Sequence, residues 1–437
     1  LTVEWPGGAV QTFDDLAVDQ KFIITEPSGP EIAAVVAANT VGQMAVGKTT
    51  ATSDHPSPQF EELKQFRPTT ARIEPTQARA DFDRDGQLDQ FVGAGALPGK
   101  YPLAGQSALR ASRGGQLVDV TDALAPTLRE TGIVTAAAWS DLDGDGWPDL
   151  LVAVDWGNVK YFHNRGGRGF DDWTEQSGFA AAGTGRWSAV AVADCNGDGR
   201  PDCVAGNLGL NTPYHATAKE PALLFYGDFG SGGPVALEGY YENGVLYPWL
   251  SRDEMASKVP GVQRRYSRNE LYARSSLGEI VGEGRLSAGR RFAATELRSG
   301  IFLSQPDGTY RFEPLPRMAQ ISPVRGIVAG DFDGDGNADI YAVQNSFAPS
   351  ASVGHFDGGL SQLLRGDGHG QFAAVPPAES GLVVPGEATA VEVRDLDGDG
   401  WPDFVVTRGD ETTLAFHNRG VAGRKPPGVT PREASQP

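Results

Sequence analysis

The sequence predicts an all-β fold, a six- to seven-bladed β-propeller with seven blades favoured, loops on its blades and a short helical insertion. Three observations carry this. First, the nine-residue motif Asp-x-Asp-x-Asp-Gly-x-x-Asp, or a one-letter variant, occurs five times: DFDRDGQLD (Asp81–Asp89), DLDGDGWPD (Asp141–Asp149), DCNGDGRPD (Asp194–Asp202), DFDGDGNAD (Asp331–Asp339) and DLDGDGWPD (Asp395–Asp403). Second, the copies start at 81, 141, 194, 331 and 395, in steps of 60, 53, 137 and 64 residues. A unit of about sixty residues is a four-stranded sheet with its turns. Third, apolar runs flank the loops, such as VTAAAWS before and LLVAV after the second copy, so each loop joins two antiparallel strands.

Taken in order, residues 1–27 read as strand, Pro-Gly-Gly turn, strand and a short apolar strand FIIT, a β piece too small for its own core. Residues 28–59 are rich in Ala, Gly, Ser, Thr and Pro and read as a linker. The propeller spans 60–420, its seventh blade drawing strands from residues 30–66, and 421–437 read as a disordered tail. The 137-residue step must hold another blade and an insertion. YGDFGSGGPVALEGYY (Tyr226–Tyr241) reads as a degenerate sixth loop that keeps Asp228 and holds no metal. The insertion, 251–299, carries three Ser-x-x-Glu capping boxes, Ser251/Glu254, Ser267/Glu270 and Ser276/Glu279, and reads as short helices. It holds ten Lys/Arg against six Asp/Glu.

The loops also explain the bulk charge. The formal net charge is −19, and the five motifs contain nineteen Asp carboxylates. Folding such clusters into tight turns presses like charges together unless a hard cation that takes six to eight oxygens is present, and calcium fits best. Five calcium ions would return about ten charges. An acidic sum of this origin argues against nucleic-acid binding. No apolar run is long enough to span a membrane. The chain begins at Leu1 and reads as a processed product or a fragment.

Position by position, Asp at 1, 3, 5 and 9 supply carboxylates, Gly at 6 lets the backbone reverse, and the carbonyl at 7 turns inward. The expected ligands are Asp81, Asp83, Asp85, Gln87 and Asp89; Asp141, Asp143, Asp145, Trp147 and Asp149; Asp194, Asn196, Asp198, Arg200 and Asp202; Asp331, Asp333, Asp335, Asn337 and Asp339; and Asp395, Asp397, Asp399, Trp401 and Asp403. Position 12 lacks the closing Glu of an EF-hand and the flanks are strands, so that motif is rejected.

These loops resemble those of FG-GAP/VCBS repeats, as in the integrin-type propeller. NLGLNTPYHATAKEPALLFYGDFG (207–230), ELRSGIFL (296–303) and PLPRMAQISPVRGIVAGDFDGDG (314–336) are similar to bacterial exported proteins that combine such repeats with an ASPIC/UnbV domain, a group related to the cartilage acidic protein family. Residues 1–27 resemble the closing part of an ASPIC/UnbV domain; the front of that domain is absent. The resemblance implies a calcium-loaded propeller in an extracellular, periplasmic or cell-surface setting.

Cys195 and Cys203, at positions 2 and 10 of one loop, suggest a disulfide in an exported protein, against two buried thiols as the alternative. His163 and His417 follow their loops at the same offset, in His-Asn-Arg-Gly, and read as structural turn residues. Arg264, Arg265, Arg268, Arg290 and Arg291 make the insertion basic and are candidate contacts for an acidic partner. No nucleophile-elbow, zincin or P-loop motif occurs. The sequence reads as a secreted calcium-binding module for adhesion or assembly, engaging a protein or glycan. A polysaccharide lyase or hydrolase is the alternative.

Overall fold

The computed structural model describes residues 2–4, 10–12, 57–63, 76–347, 354–410 and 412–428, in two units, Leu1–Pro56 and Ser57–Pro437. In the first unit, Thr2–Glu4 pairs antiparallel with Val10–Thr12, Val3 opposite Gln11. The expected strand FIIT and most of the linker lie outside the described residues.

Among the described residues, the second unit is built from six antiparallel sheets, five of four strands and one of five, the lower of the two expected numbers, and is a β-propeller-type all-β fold. Five sheets share one plan, with successive strands side by side and the Asp loop joining the first to the second. The first sheet is Gln77–Ala80, Asp89–Val92, Ala108–Arg113 and Gln116–Asp119. The second is Ile133–Ser140, Asp149–Gly157, Lys160–Asn164 and Phe170–Asp172, with the short strand Gly185–Arg186 also paired to Asp149–Gly157. The third is Ala189–Ala193, Asp202–Gly206, Gly300–Ser304 and Tyr310–Pro314. The fourth is Val324–Gly330, Asp339–Gln344, Gln362–Gly366 and Phe372–Val375. The fifth is Ala388–Arg394, Asp403–Arg408 and Thr413–Asn418, completed by Phe60–Glu62 from the start of the unit, with Phe416 opposite Glu62. Phe60–Glu62 therefore closes the fifth sheet rather than opening a seventh.

The second strands read as continuous apolar runs because both of their faces are covered. Leu150, Val152 and Val154 pack with Phe91, Leu109 and Phe162 between the first two sheets. Their alternates, Leu151 and Ala153, pack with Val190, Cys203 and Phe302 between the second and third. The same alternation seats Val204, Ile301, Ile340 and Leu364 between the third and fourth sheets. Tyr341, Val343, Phe404 and Phe416 lie between the fourth and fifth. A period of two thus supplies two cores per strand.

The 137-residue step is organised differently from the expectation. The third sheet is interrupted between Asp202–Gly206 and Gly300–Ser304, and the sixth sheet sits in that gap. Its order is Val245–Pro248, Val235–Glu242, Ala222–Gly227, Arg290–Ala294. The Asp228 turn joins its two middle strands, so it is not the topological equivalent of the five loops. Asp228 keeps only the turn chemistry, its Oδ1 accepting from the N–H groups of Gly230, Ser231 and Gly232.

Five short helices pack on this inserted sheet, burying Met255, Val262, Leu277 and Ile280 against Leu223, Phe225 and Leu237. Two of the expected capping boxes form, Ser251 with Glu254 and Ser276 with Glu279. The third does not. Asn269–Ala273 starts one residue late, with Arg268 at the cap, so Glu270 sits too early to reach back and instead pairs with Arg274 at 2.8 Å. Residues 421–428, expected within the disordered tail, run against the last two loops. Val421 is buried and the Gly428 N–H donates to the Gly400 carbonyl at 3.2 Å.

Candidate metal centres

Each Asp loop is a turn organised by its own carboxylates. In the second loop, Asp141 accepts from the N–H groups of Gly144 and Gly146, both at 2.8 Å. Asp143 accepts from Asp145 N–H at 3.1 Å, and Asp145 from Trp147 N–H at 2.8 Å. The same bonds recur around Asp194, Asp331 and Asp395. In the first loop Asp81 takes the N–H groups of Asp85 and Gly86, while Arg84 stands at position 4 with φ 56. Position 6 has φ between 81 and 91 in all five copies, a left-handed conformation that glycine alone adopts without steric cost. The position-7 residues Gln87, Trp147, Arg200, Asn337 and Trp401 are held by their N–H groups on the position-5 carboxylates.

The position-9 aspartates fasten each loop to its sheet. One oxygen of Asp89, Asp149, Asp202, Asp339 and Asp403 accepts from the N–H of position 2, that is Phe82, Leu142, Cys195, Phe332 and Leu396. The other accepts from a third-strand N–H, that of Ser112, Asn164, Ser304, Gly366 and Asn418, at 2.7–3.0 Å. All five are buried. Burial pushes all five carboxyls above the usual range, Asp149 to about 6 and Asp339 to about 8, the nearby Asp333 charge adding to the rise at Asp339.

The carboxylates converge. Donor oxygens of Asp81, Asp83 and Asp85 lie within 4.8 Å of one another, as do those of Asp141, Asp143 and Asp149, and of Asp331, Asp333 and Asp339. Asp83 Oδ1 and Asp333 Oδ2 are buried and make no hydrogen bond. Packed carboxylate oxygens with unsatisfied lone pairs and raised pKa values fit a hard dication, which would relieve both.

Several residues at these loops escaped the sequence reading. Arg113 bridges Asp83 at 2.5 Å and Asp85 at 3.0 Å. Arg424 binds Asp333, and Arg365 Nε stands 3.4 Å from it. Nothing in the motif spacing marks these arginines, which arrive from other strands or the tail. The His-Asn-Arg-Gly recurrence was a legible signal, and its Asn has a distinct task. Asn164 Nδ2 donates to the Phe82 carbonyl of the preceding loop at 2.9 Å, and Asn418 Nδ2 to the Phe332 carbonyl at 2.9 Å. Each of these asparagines ties two neighbouring loops together.

One expectation changes. Cys195 and Cys203 are free, buried thiols, not a disulfide. Cys203 packs between the second and third sheets and Cys195 between the third and fourth, so they serve opposite faces of one sheet. The five arginines of the insertion are exposed but do not share one element. Arg265, at the end of Val262–Arg265, donates to the carbonyls of Glu279 and Ile280 on the helix Leu277–Val281, and Arg290 and Arg291 lie on the Arg290–Ala294 strand opposite Tyr226 and Phe225.

A cleft of about 440 Å³ opens beside the second and third loops, lined by Asp143, Tyr161, Trp173, Arg200, Asp307 and Tyr310 among others. No described helix is long and apolar enough to cross a membrane.

Among known proteins, no curated relative matches the chain. Similar solved structures include the exotype rhamnogalacturonan lyase YesX, at 13% identity and TM-score 0.30 over 82% of this chain and 55% of that one. Others are the V. cholerae biofilm matrix protein Bap1, at 11%, TM-score 0.29, over 79% and 69%, and BBS1N in complex with ARL6DN, at 10%, TM-score 0.27, over 81% and 94%. The chain thus spans about half the length of the exotype lyase, and likeness at these scores carries nothing about activity. The model of the FG-GAP-like repeat matches residues 81–152 and 141–205. With three of the five hydrogen-bonded loops inside those matches, and two more on the same strand connection elsewhere, this chain carries FG-GAP-like repeats.

Proposed function

We propose that the chain is an exported calcium-binding propeller module that holds a protein or glycan partner. One observation supports it above the others: the same carboxylate cradle is built five times, always between first and second strands and always fastened by a buried position-9 Asp. Each cradle gathers acidic groups whose repulsion a calcium ion would remove. Ions at these turns would stiffen the same end of five sheets and leave loops and clefts there fixed for recognition. The repeats' likeness to the ASPIC/UnbV group favours an extracellular or periplasmic setting.

The cleft beside the second and third loops suits a glycan. Trp173 offers a partly exposed aromatic surface over a floor of buried Tyr161 and Tyr310, while Arg200, Asp143 and Asp307 offer polar groups. The insertion's exposed Arg264, Arg268 and Arg291 offer a second contact, for an acidic protein surface. The test is retention of the chain on immobilised polysaccharides in calcium and in chelator. Calcium-dependent retention that Arg200→Ala weakens, without loss of the calcium-dependent melt, supports the reading. Cleavage of the polysaccharide into new chain ends would replace it with the enzyme reading, and an unchanged melt in chelator would remove the calcium.

A further inference from the structure

The residue just before the third-strand N–H that binds each position-9 Asp occupies one register position in all five loops. It is Ala111, His163, Leu303, Arg365 and His417 in chain order. Only in the second and fifth loops does it bring an imidazole to the carboxylates. His163 Nδ1 stands 3.1 Å from Asp143 and 3.4 Å from Asp149. His417 Nε2 stands 2.7 Å from Asp397 and 3.9 Å from both Asp399 and Asp403. The His417 side chain is only 8% exposed. Both nitrogens are buried and neither makes a hydrogen bond, although carboxylate oxygens lie within reach. Each nitrogen thus stands against carboxylate oxygens without an N–H···O bond joining them. His163 groups with Asp143 and Asp145, and His417 with Asp397 and Asp399, all donors of each set within 4.8 Å. Donors around one ion with bonds of about 2.1 Å stand roughly 3.0–3.4 Å apart, near the spacing seen at His163. Trp173 stacks on the His163 ring at 3.8 Å between centroids and fixes its plane.

We propose that the second and fifth loops are mixed nitrogen–oxygen sites selecting a borderline first-row dication such as zinc or cobalt, with His163 and His417 as ligands. The other three loops take a hard dication through oxygen alone. The chemical reason is the donor type: calcium takes oxygens, whereas imidazole suits the borderline first-row metals. The two classes of site would let one chain hold calcium for rigidity and a second metal at two defined turns. This rests on the reading that the loops hold cations.

The test is cobalt titration of the chelator-stripped chain in excess calcium, followed by visible absorption and metal counting. Two cobalt ions per chain should remain against calcium, His163→Asn and His417→Asn should each lose one, and the double variant both. The variants should keep their calcium-dependent melt, which separates ligand loss from misfolding. Cobalt displaced by calcium, or held equally by the double variant, overturns the proposal. On the native chain, X-ray absorption of bound zinc should show imidazole scattering, and its absence overturns the proposal without any variant. Failure of every metal to bind would instead overturn the cation reading on which it rests.

Discussion

Asp149 gives one oxygen to the Leu142 N–H and the other to the Asn164 N–H, both buried, so its removal strands two backbone donors. Asp149→Ala should cost about 2–5 kcal/mol in calcium, read from denaturant midpoints. Asp228→Ala removes only the cap of an exposed turn and should shift the midpoint less; equal shifts would argue against the distinct role of position 9. The protonation of these residues gives a second prediction. Asp149 is held up at about 6 and Asp339 at about 8 by burial, so the metal-free folded chain binds protons that the unfolded chain releases. That stability is fully present below the ordinary Asp value of about 3.9 and is lost as pH rises through 6 to 8. In chelator the melting temperature should fall between about pH 5 and pH 8 on this account, and saturating calcium, which favours the ionised carboxylates, should abolish or reverse the fall. The acidic loops themselves were legible, because acidic spacing in a turn is local. The position-9 partners were not, since Ser304 lies 102 residues from Asp202.

Among the elements, the capping boxes give the sharpest contrast. Ser276 and Glu279 satisfy each other's backbone N–H groups at the start of Leu277–Val281, whereas Ser267 makes no cap. Ser276→Ala should cost about 1 kcal/mol and Ser267→Ala close to nothing, by thermal melts of the two variants. Equal costs would mean that the helix start is misplaced. The sequence pattern was the same at both sites. A one-residue difference in where the helix begins separated them, and the burial of that helix's Tyr272 in the insertion's core is a tertiary fact. The cysteines teach a similar lesson. Their places at positions 2 and 10 of one loop suggested a bond, but alternation along the sheet sends the two thiols into different cores.

For the whole molecule, closure and charge dominate. Phe60 is 5% exposed and stacks on Phe404 with centroids 4.7 Å apart, so the first strand of the unit anchors the last sheet. Phe60→Ala should cost about 3–5 kcal/mol, and the loss should register as cooperative unfolding of the whole unit in calorimetry. A separate low-temperature transition of the fifth sheet alone would contradict this coupling. Chelation should lower the melting temperature of the entire unit, because a ligand that binds only the folded chain stabilises it by mass action. The effect should appear at millimolar chelator, as extracellular calcium modules bind at roughly 10⁻⁴–10⁻³ M. An unchanged melt would count against calcium as the resident ion.

The sequence by itself determined the repeat, the all-β class and the five acidic loops, because those follow from short-range spacing of carboxylates, glycines and apolar runs. Tertiary structure alone decided what depends on residues far apart in the chain. It set the sixth sheet inside the third, carried Phe60–Glu62 to the fifth, parted Cys195 from Cys203 and aimed His163 and His417 at neighbouring carboxylates. Strand partners are chosen by which faces must be buried together, and that choice is made by the assembled sheets rather than by any local stretch of chain.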